Sequence, residues 1–394
     1  MSTHQPTQTT LDYLRTLVAF PTVSSDSNLA LIDWLEATLT ERGARCRRTY
    51  DASGQKANLW ATFGPEEAGG VVWSGHTDVV PVAGQDWHSD PFELTERDGR
   101  LYGRGSCDMK GFLAVMLAAV AKIDVSKLKR PLHLAFSYDE EVGCLGVDRM
   151  VDDALAHGPR PSWAVIGEPT MMEVVLAHKS INVFRTQVIG RAAHSSLPHK
   201  GAGAIFAAAR IIDHLYQLGV DARHQAGVEG EGFEPPWTTV QVGRMDGGTA
   251  VNILPAVCEF LWEYRALPSE DPDRIINALQ AYIETEVRPA LQEFAPEASI
   301  RTDTIARVPP LLAQPDHAVE PWVRQFPGVG TASAGQVSFA TEGGSFQRAG
   351  IATVVCGPGS IDVAHQPNEY VEPEQLAKSY AMLEGIVHWL SAEA

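Results

Sequence analysis

The sequence predicts an α/β protein in two parts: a domain with a mixed, largely parallel sheet flanked by helices, and an α+β domain inserted into it. Three observations lead there. Apolar runs of strand length alternate with helical patterns as far as Glu168-Pro169, the order of elements then changes, and Pro309-Pro310 marks a return to the first pattern. The expected division is residues 1–179 with 309–394 for the first domain and 180–308 for the inserted one. At 394 residues the chain is long for a single core, which also favours two.

Leu11, Leu14, Leu17 and Val18 share one face of a helix predicted over residues 10–20, which Pro21 stops. A second helix, capped by Asn28, runs through Ile32, Leu35 and Leu39 to Gly43. Strands are expected at 58–63, 71–74, 132–137 and 163–166, with a helix opening at Phe112 between the second and third. After Glu168-Pro169 the order becomes strand 181–189, helix 203–218, strands 238–242 and 258–264, helix 273–287 and strand 299–307. This β-α-β-β-α-β succession is that of a ferredoxin-like unit. Residues 336–359 supply a glycine-rich loop and a strand at 352–356, and 373–391 form a closing helix.

Bulk properties narrow the function. Lysine and arginine total 31 against 49 acidic residues, a net charge of −18, which repels phosphate backbones and anionic lipid. Neither a nucleic acid nor a membrane partner is expected. No apolar run approaches the ~18 residues of a membrane span, and the polar N-terminal stretch does not read as a secretory signal. Five cysteines, widely spaced and without Cys-x-x-Cys, suggest neither a disulfide framework nor a thiolate metal site. A cytoplasmic protein is expected.

Candidate chemistry collects after the strands. Ser74-Gly75-His76-Thr77-Asp78 ends one apolar run, and Gly103-Arg104-Gly105-Ser106-Cys107-Asp108 precedes the Phe112 helix. Asp139-Glu140-Glu141 follows the strand at 132–137, Gly167-Glu168-Pro169 the next, and His365 the strand at 352–356. Taken singly, each has a plainer reading as a solvated turn, an acidic loop or a structural histidine. As a set, His76, Asp108, Glu141, Glu168 and His365 offer two imidazoles and three carboxylates. That composition suits two divalent ions such as zinc with one carboxylate shared. Glu140 is left over, and an unligated carboxylate in such a place suits a general base. His194 lies in a loop after the first strand of the inserted domain and by itself reads as a polar turn. Cys107 reads as a packing residue.

Together these segments resemble the M20 metallopeptidases, a family of zinc amidohydrolases, over nearly the whole chain. The resemblance implies that His76 and Glu168 hold one metal ion, Glu141 and His365 the other, and that Asp108 bridges them. It implies zinc, with cobalt able to substitute. Asp78 would orient His76, and Glu140 would act as general base. The inserted domain would be a lid and homodimer interface, with His194 reaching the partner's active site as an oxyanion donor. Asn252 and Arg265 match positions that bind a substrate carboxylate. Glu342, in Thr341-Glu342-Gly343-Gly344, reads as a partner for a basic substrate side chain or as a loop carboxylate. The implied reaction is hydrolysis of N2-acetyl-L-ornithine to L-ornithine and acetate, in arginine biosynthesis. N-Succinyl-diaminopimelate and acetylcitrulline are the rival small-molecule substrates, and an inactive metal- or ligand-binding module is the rival outside the enzymes.

Overall fold

The computed structural model describes residues 5–314 and 318–393. It divides into two compact units, one of Met1–Leu176, Ala313–Gly335 and Thr341–Ala394, the other of Ala177–Leu312 and Gln336–Ala340.

The sheet of the first unit runs in the order Arg45–Tyr50, Ala57–Phe63, Leu132–Ser137, Val71–His76, Trp163–Pro169 and Ala352–Gly357, continued by the short strands Val175–His178 and Gly335–Val337. The first two pairings are antiparallel, and the next three are parallel. Every residue of Val71–His76 and Leu132–Ser137 is buried, as expected for strands covered on both faces. Helix Lys110–Val120 is likewise buried at every position, and helices Gln8–Val18 and Pro373–Ser391 share its core through Leu14, Leu17, Leu376 and Leu383.

Parallel pairing gathers strand ends. His76 lies opposite Ser137, and Gly357 opposite Pro169. The segments that follow these strands therefore leave the sheet at one edge, where ligands bind in open α/β sheets. Two glycines let the buried helix approach this edge. A Cβ on Gly167 would sit 2.0 Å from the Phe112 ring, and one on Gly75 would sit 2.7 Å from side-chain atoms of Leu113 and Met109.

The second unit is a four-stranded antiparallel sheet in the order Thr239–Gly247, Val257–Arg265, Ile181–Ile189 and Ser299–Val308, the ferredoxin-like order. Phe184 stacks on Trp262 and Tyr264, and helix Ala204–His224 adds Ala208, Ile211 and Leu215 to the same core.

Several elements differ from the sequence expectation. Strands predicted to stop at residues 74 and 166 continue to His76 and Pro169, so that His76 and Glu168 are themselves strand residues. The predicted helix at 273–287 is α-helical over Arg274–Tyr282 and becomes a π-turn at Ile283–Val287. Helix Gly343–Arg348 occupies part of the expected glycine-rich loop. Arg45–Tyr50 and the small sheet of Thr95–Arg97, Arg100–Tyr102 and Tyr370–Val371 lack the apolar runs by which strands were recognised. Among the described residues no helix is long and apolar enough to cross a membrane. All five cysteines are free.

Candidate metal centre

Two groups of ligating side chains share one residue. His76, Asp108 and Glu168 form the first, and Asp108, Glu141 and His365 the second, with the ligand atoms of each group within 4.8 Å of one another. His76 Nε2 lies 3.0 Å from Asp108 Oδ1. His365 Nε2 lies 3.3 Å from Asp108 Oδ2 and 2.9 Å from Glu141 Oε2. Asp108 thus stands between two imidazoles, each addressed by a different carboxylate oxygen.

The surroundings fix these groups. His76 Nδ1–H donates to the main-chain carbonyl of Asp78 at 2.8 Å, whereas the Asp78 carboxylate is 3.7 Å from that nitrogen. A carboxylate accepting the ring N–H was the sequence expectation. Asp78 orients His76 through its backbone because its side chain is engaged elsewhere. It accepts Ser24 Oγ–H at 2.6 Å and the amide N–H groups of Glu140 and Glu141 at 3.1 and 3.3 Å. The first acid of the 139–141 run is paired away from the ligands, by Lys56 Nζ on Asp139. Glu140 belongs to neither ligand group and accepts the Cys144 thiol at 3.4 Å.

Electrostatics set a demand for cations. Burial, reinforced by Asp108 and Glu140, raises the Glu168 carboxyl well above the usual carboxylate range. Burial and then Asp108 push Glu141 up to about 7. Glu140 is raised by burial and by Glu141 and Asp108, an effect that the neighbouring His76 only partly opposes. Asp108 alone is held low: hydrogen bonds from His365 and His76 outweigh its burial. Glu168 Oε1 is buried without a hydrogen-bond partner. Carboxylates crowded in this way must take up protons or neutralise a cation. Oxygen and imidazole donors with an orphaned carboxylate oxygen fit divalent metal ions.

Glu342 is buried, accepts Ser74 Oγ–H at 3.1 Å, and is pushed up to about 7 by burial. The other three sequence candidates lie in the second unit. His194 and Asn252 are exposed and belong to neighbouring segments, the Ser195 amide donating to the Asn252 carbonyl at 3.0 Å. Arg265 ends the strand Val257–Arg265 and pairs with Glu263 at 3.2 Å.

The sequence profile described as Peptidase family M20/M25/M40 matches residues 72–389. The chain belongs to this family. M20 relatives agree along its length. A protein of Myxococcus xanthus named acetylornithine deacetylase is 38% identical over 375 residues, covering 94% of each chain. One of the same name from Salmonella paratyphi B is 33% identical, covering 96% of this chain and 97% of that one. The fold is that of an M20 family metallo-carboxypeptidase from Sulfolobus solfataricus (TM-score 0.75, 18% identity, 98% of this chain and 100% of that one). It is also that of a dinuclear metal-binding M20 peptidase from Bacillus subtilis (TM-score 0.62, 17% identity, 96% and 97%). The protein is accordingly an M20 metallo-hydrolase, with two domains of M20 architecture.

The sequence did not single out Glu369. Its buried carboxylate accepts the amide N–H groups of Gly105, Cys107 and Asp108 and pairs with buried Arg104 at 2.7 Å. Nothing in its local pattern distinguishes it from a surface glutamate, since its partners lie about 260 residues earlier in the chain.

Proposed function

We propose that the protein hydrolyses N2-acetyl-L-ornithine to L-ornithine and acetate with two divalent ions, most readily zinc, with cobalt able to substitute. The observation that carries this reading is a pair of ligand groups joined through Asp108, with Glu140 beside them and in neither. The relatives of the same name support the choice of substrate.

His76 and Glu168 would hold one ion, Glu141 and His365 the other, and Asp108 both. When bound, the ions polarise the amide carbonyl and acidify a water. Glu140 takes a proton from the water as its oxygen bonds to the amide carbon and returns that proton to the amine nitrogen as the C–N bond breaks, a transfer that suits a carboxyl made more basic by burial. His194 donates a hydrogen bond to the oxyanion of the tetrahedral intermediate. Asn252 and Arg265 hold the substrate α-carboxylate, and Glu342 meets the cationic end of ornithine.

The inserted domain serves as lid and homodimer interface. Support comes from its edge strand Thr239–Gly247 and from exposed Phe206 and Tyr216 on helix Ala204–His224. Mixed dimers of a His194→Ala subunit and a Glu140→Ala subunit should recover activity if His194 acts across the dimer.

The substrate assignment is tested by comparing kcat/KM over N2-acetylornithine, N2-acetylcitrulline, N-acetylmethionine and N-succinyl-diaminopimelate with zinc or cobalt present. N2-Acetylornithine should lead. Glu342→Gln should raise KM for it and leave N-acetylmethionine nearly unchanged. A higher kcat/KM for another member of the panel would replace the substrate and leave the metal chemistry standing.

A further inference from the structure

Two ligands of the second ion come from loops distant in sequence, and a line of hydrogen bonds joins them. It begins at Glu369, whose Oε1 accepts the Cys107 and Asp108 amides at 2.8 and 2.9 Å and whose Oε2 accepts Arg104 Nη1 at 2.7 Å. Arg104 Nη2 donates to Gln85 Oε1 at 2.6 Å, and Gln85 Nε2 donates to the main-chain carbonyl of His365 at 3.0 Å. Asp108 and His365 are therefore tied through one buried carboxylate, one buried guanidinium and one half-buried amide.

The orientation of that amide is determined. Gln85 Oε1 accepts from both Arg104 and Trp87 Nε1, the latter at 3.1 Å, so the NH2 end must face the His365 carbonyl. His365 needs such a tether. It holds φ +63°, a conformation unfavourable for a residue with a Cβ.

We propose that Gln85 is a positioning residue for the second metal ion, holding the His365 backbone in register with Asp108. The inference rests on the ligand assignment given above. A carboxylate at position 85 could still accept from Arg104 but could not donate to the His365 carbonyl. Hydrogen bonds that orient ligands in this way are worth about 10–100-fold in metal affinity.

The test uses the full chain stripped of metal with a chelator and titrated with cobalt(II) by calorimetry. The wild type should bind two ions and His365→Ala one; any other result for this pair overturns the ligand assignment. With that control in place, Gln85→Glu should weaken the second ion by about 10–100-fold and change the first by less than about threefold. The added negative charge would favour a cation at long range, so a loss would come from the missing donor and from repulsion between the new carboxylate and the His365 carbonyl. Gln85→Ala, which removes all three bonds and adds no charge, should show the same selective loss. The metal-free urea midpoint of Gln85→Glu should match the wild type, because its carboxylate still accepts from Arg104 and Trp87, whereas that of Gln85→Ala should fall slightly, because buried Arg104 loses an acceptor. Equal weakening of both ions, or a second ion bound within threefold of wild type, would overturn the role given to Gln85.

Discussion

Glu140 and Glu141 are consecutive, and both amides are held by the same Asp78 carboxylate, yet only Glu141 reaches a ligand group. Their side chains diverge, one toward His365 and the other toward Cys144. Glu140→Gln should therefore bind cobalt(II) with wild-type stoichiometry while kcat falls by roughly 10²–10⁴-fold; loss of an ion would make Glu140 a ligand instead. Away from the site, His133 accepts Trp60 Nε1–H at Nδ1, and burial lowers its pKa to about 3. Because the folded value lies below the ordinary 6.5, the unfolded chain takes up the proton first. The contribution to stability is full above about pH 6.5 and is lost as the pH falls toward 3. His133→Phe in the metal-free protein should reduce the drop in unfolding free energy between pH 7 and pH 5 by about 2 kcal/mol, read from urea denaturation. An unchanged drop would mean that His133 does not become charged on unfolding in this range.

At the scale of elements, the helix Lys110–Val120 and the strands above it explain why a glycine precedes each strand-borne ligand. Gly167→Ala would drive a methyl into the Phe112 ring and displace the strand that carries Glu168. A loss of about 1–3 kcal/mol is expected, with part of it recovered in Gly167→Ala combined with Phe112→Leu, compared by thermal unfolding. Failure of the second change to recover any stability would move the cost from packing to the backbone. Much at this level was legible in the sequence. Residues 71–73 and 132–137 are largely apolar because they are covered on both faces, and 181–189 buries every second residue because one face is covered. The edge strand Arg45–Tyr50 was not legible, since its arginines face solvent or pair with Asp153, Asp33 and Glu36. Ligand types could be read from residues clustered after strands. The links from Gln85 to His365 and from Arg104 to Glu369 could not, because each spans more than 260 residues and shows no periodicity.

For the whole molecule, the crowded carboxylates predict a stability that depends on bound cations. Chelation should lower Tm and stoichiometric zinc should restore it, by mass action on the folded state; a Tm indifferent to chelator would show that protons suffice to neutralise the centre. The sheet also imposes an order on synthesis. Strand Trp163–Pro169 pairs directly with Ala352–Gly357, so a nascent chain that has emitted the first must wait for the second. At about 5–20 residues per second the delay is about 10–40 s. The antiparallel domain is translated whole within that interval, and His365 emerges after it. During those seconds the part-built sheet ends on Trp163–Pro169 with its hydrogen-bonding edge open to any other extended strand.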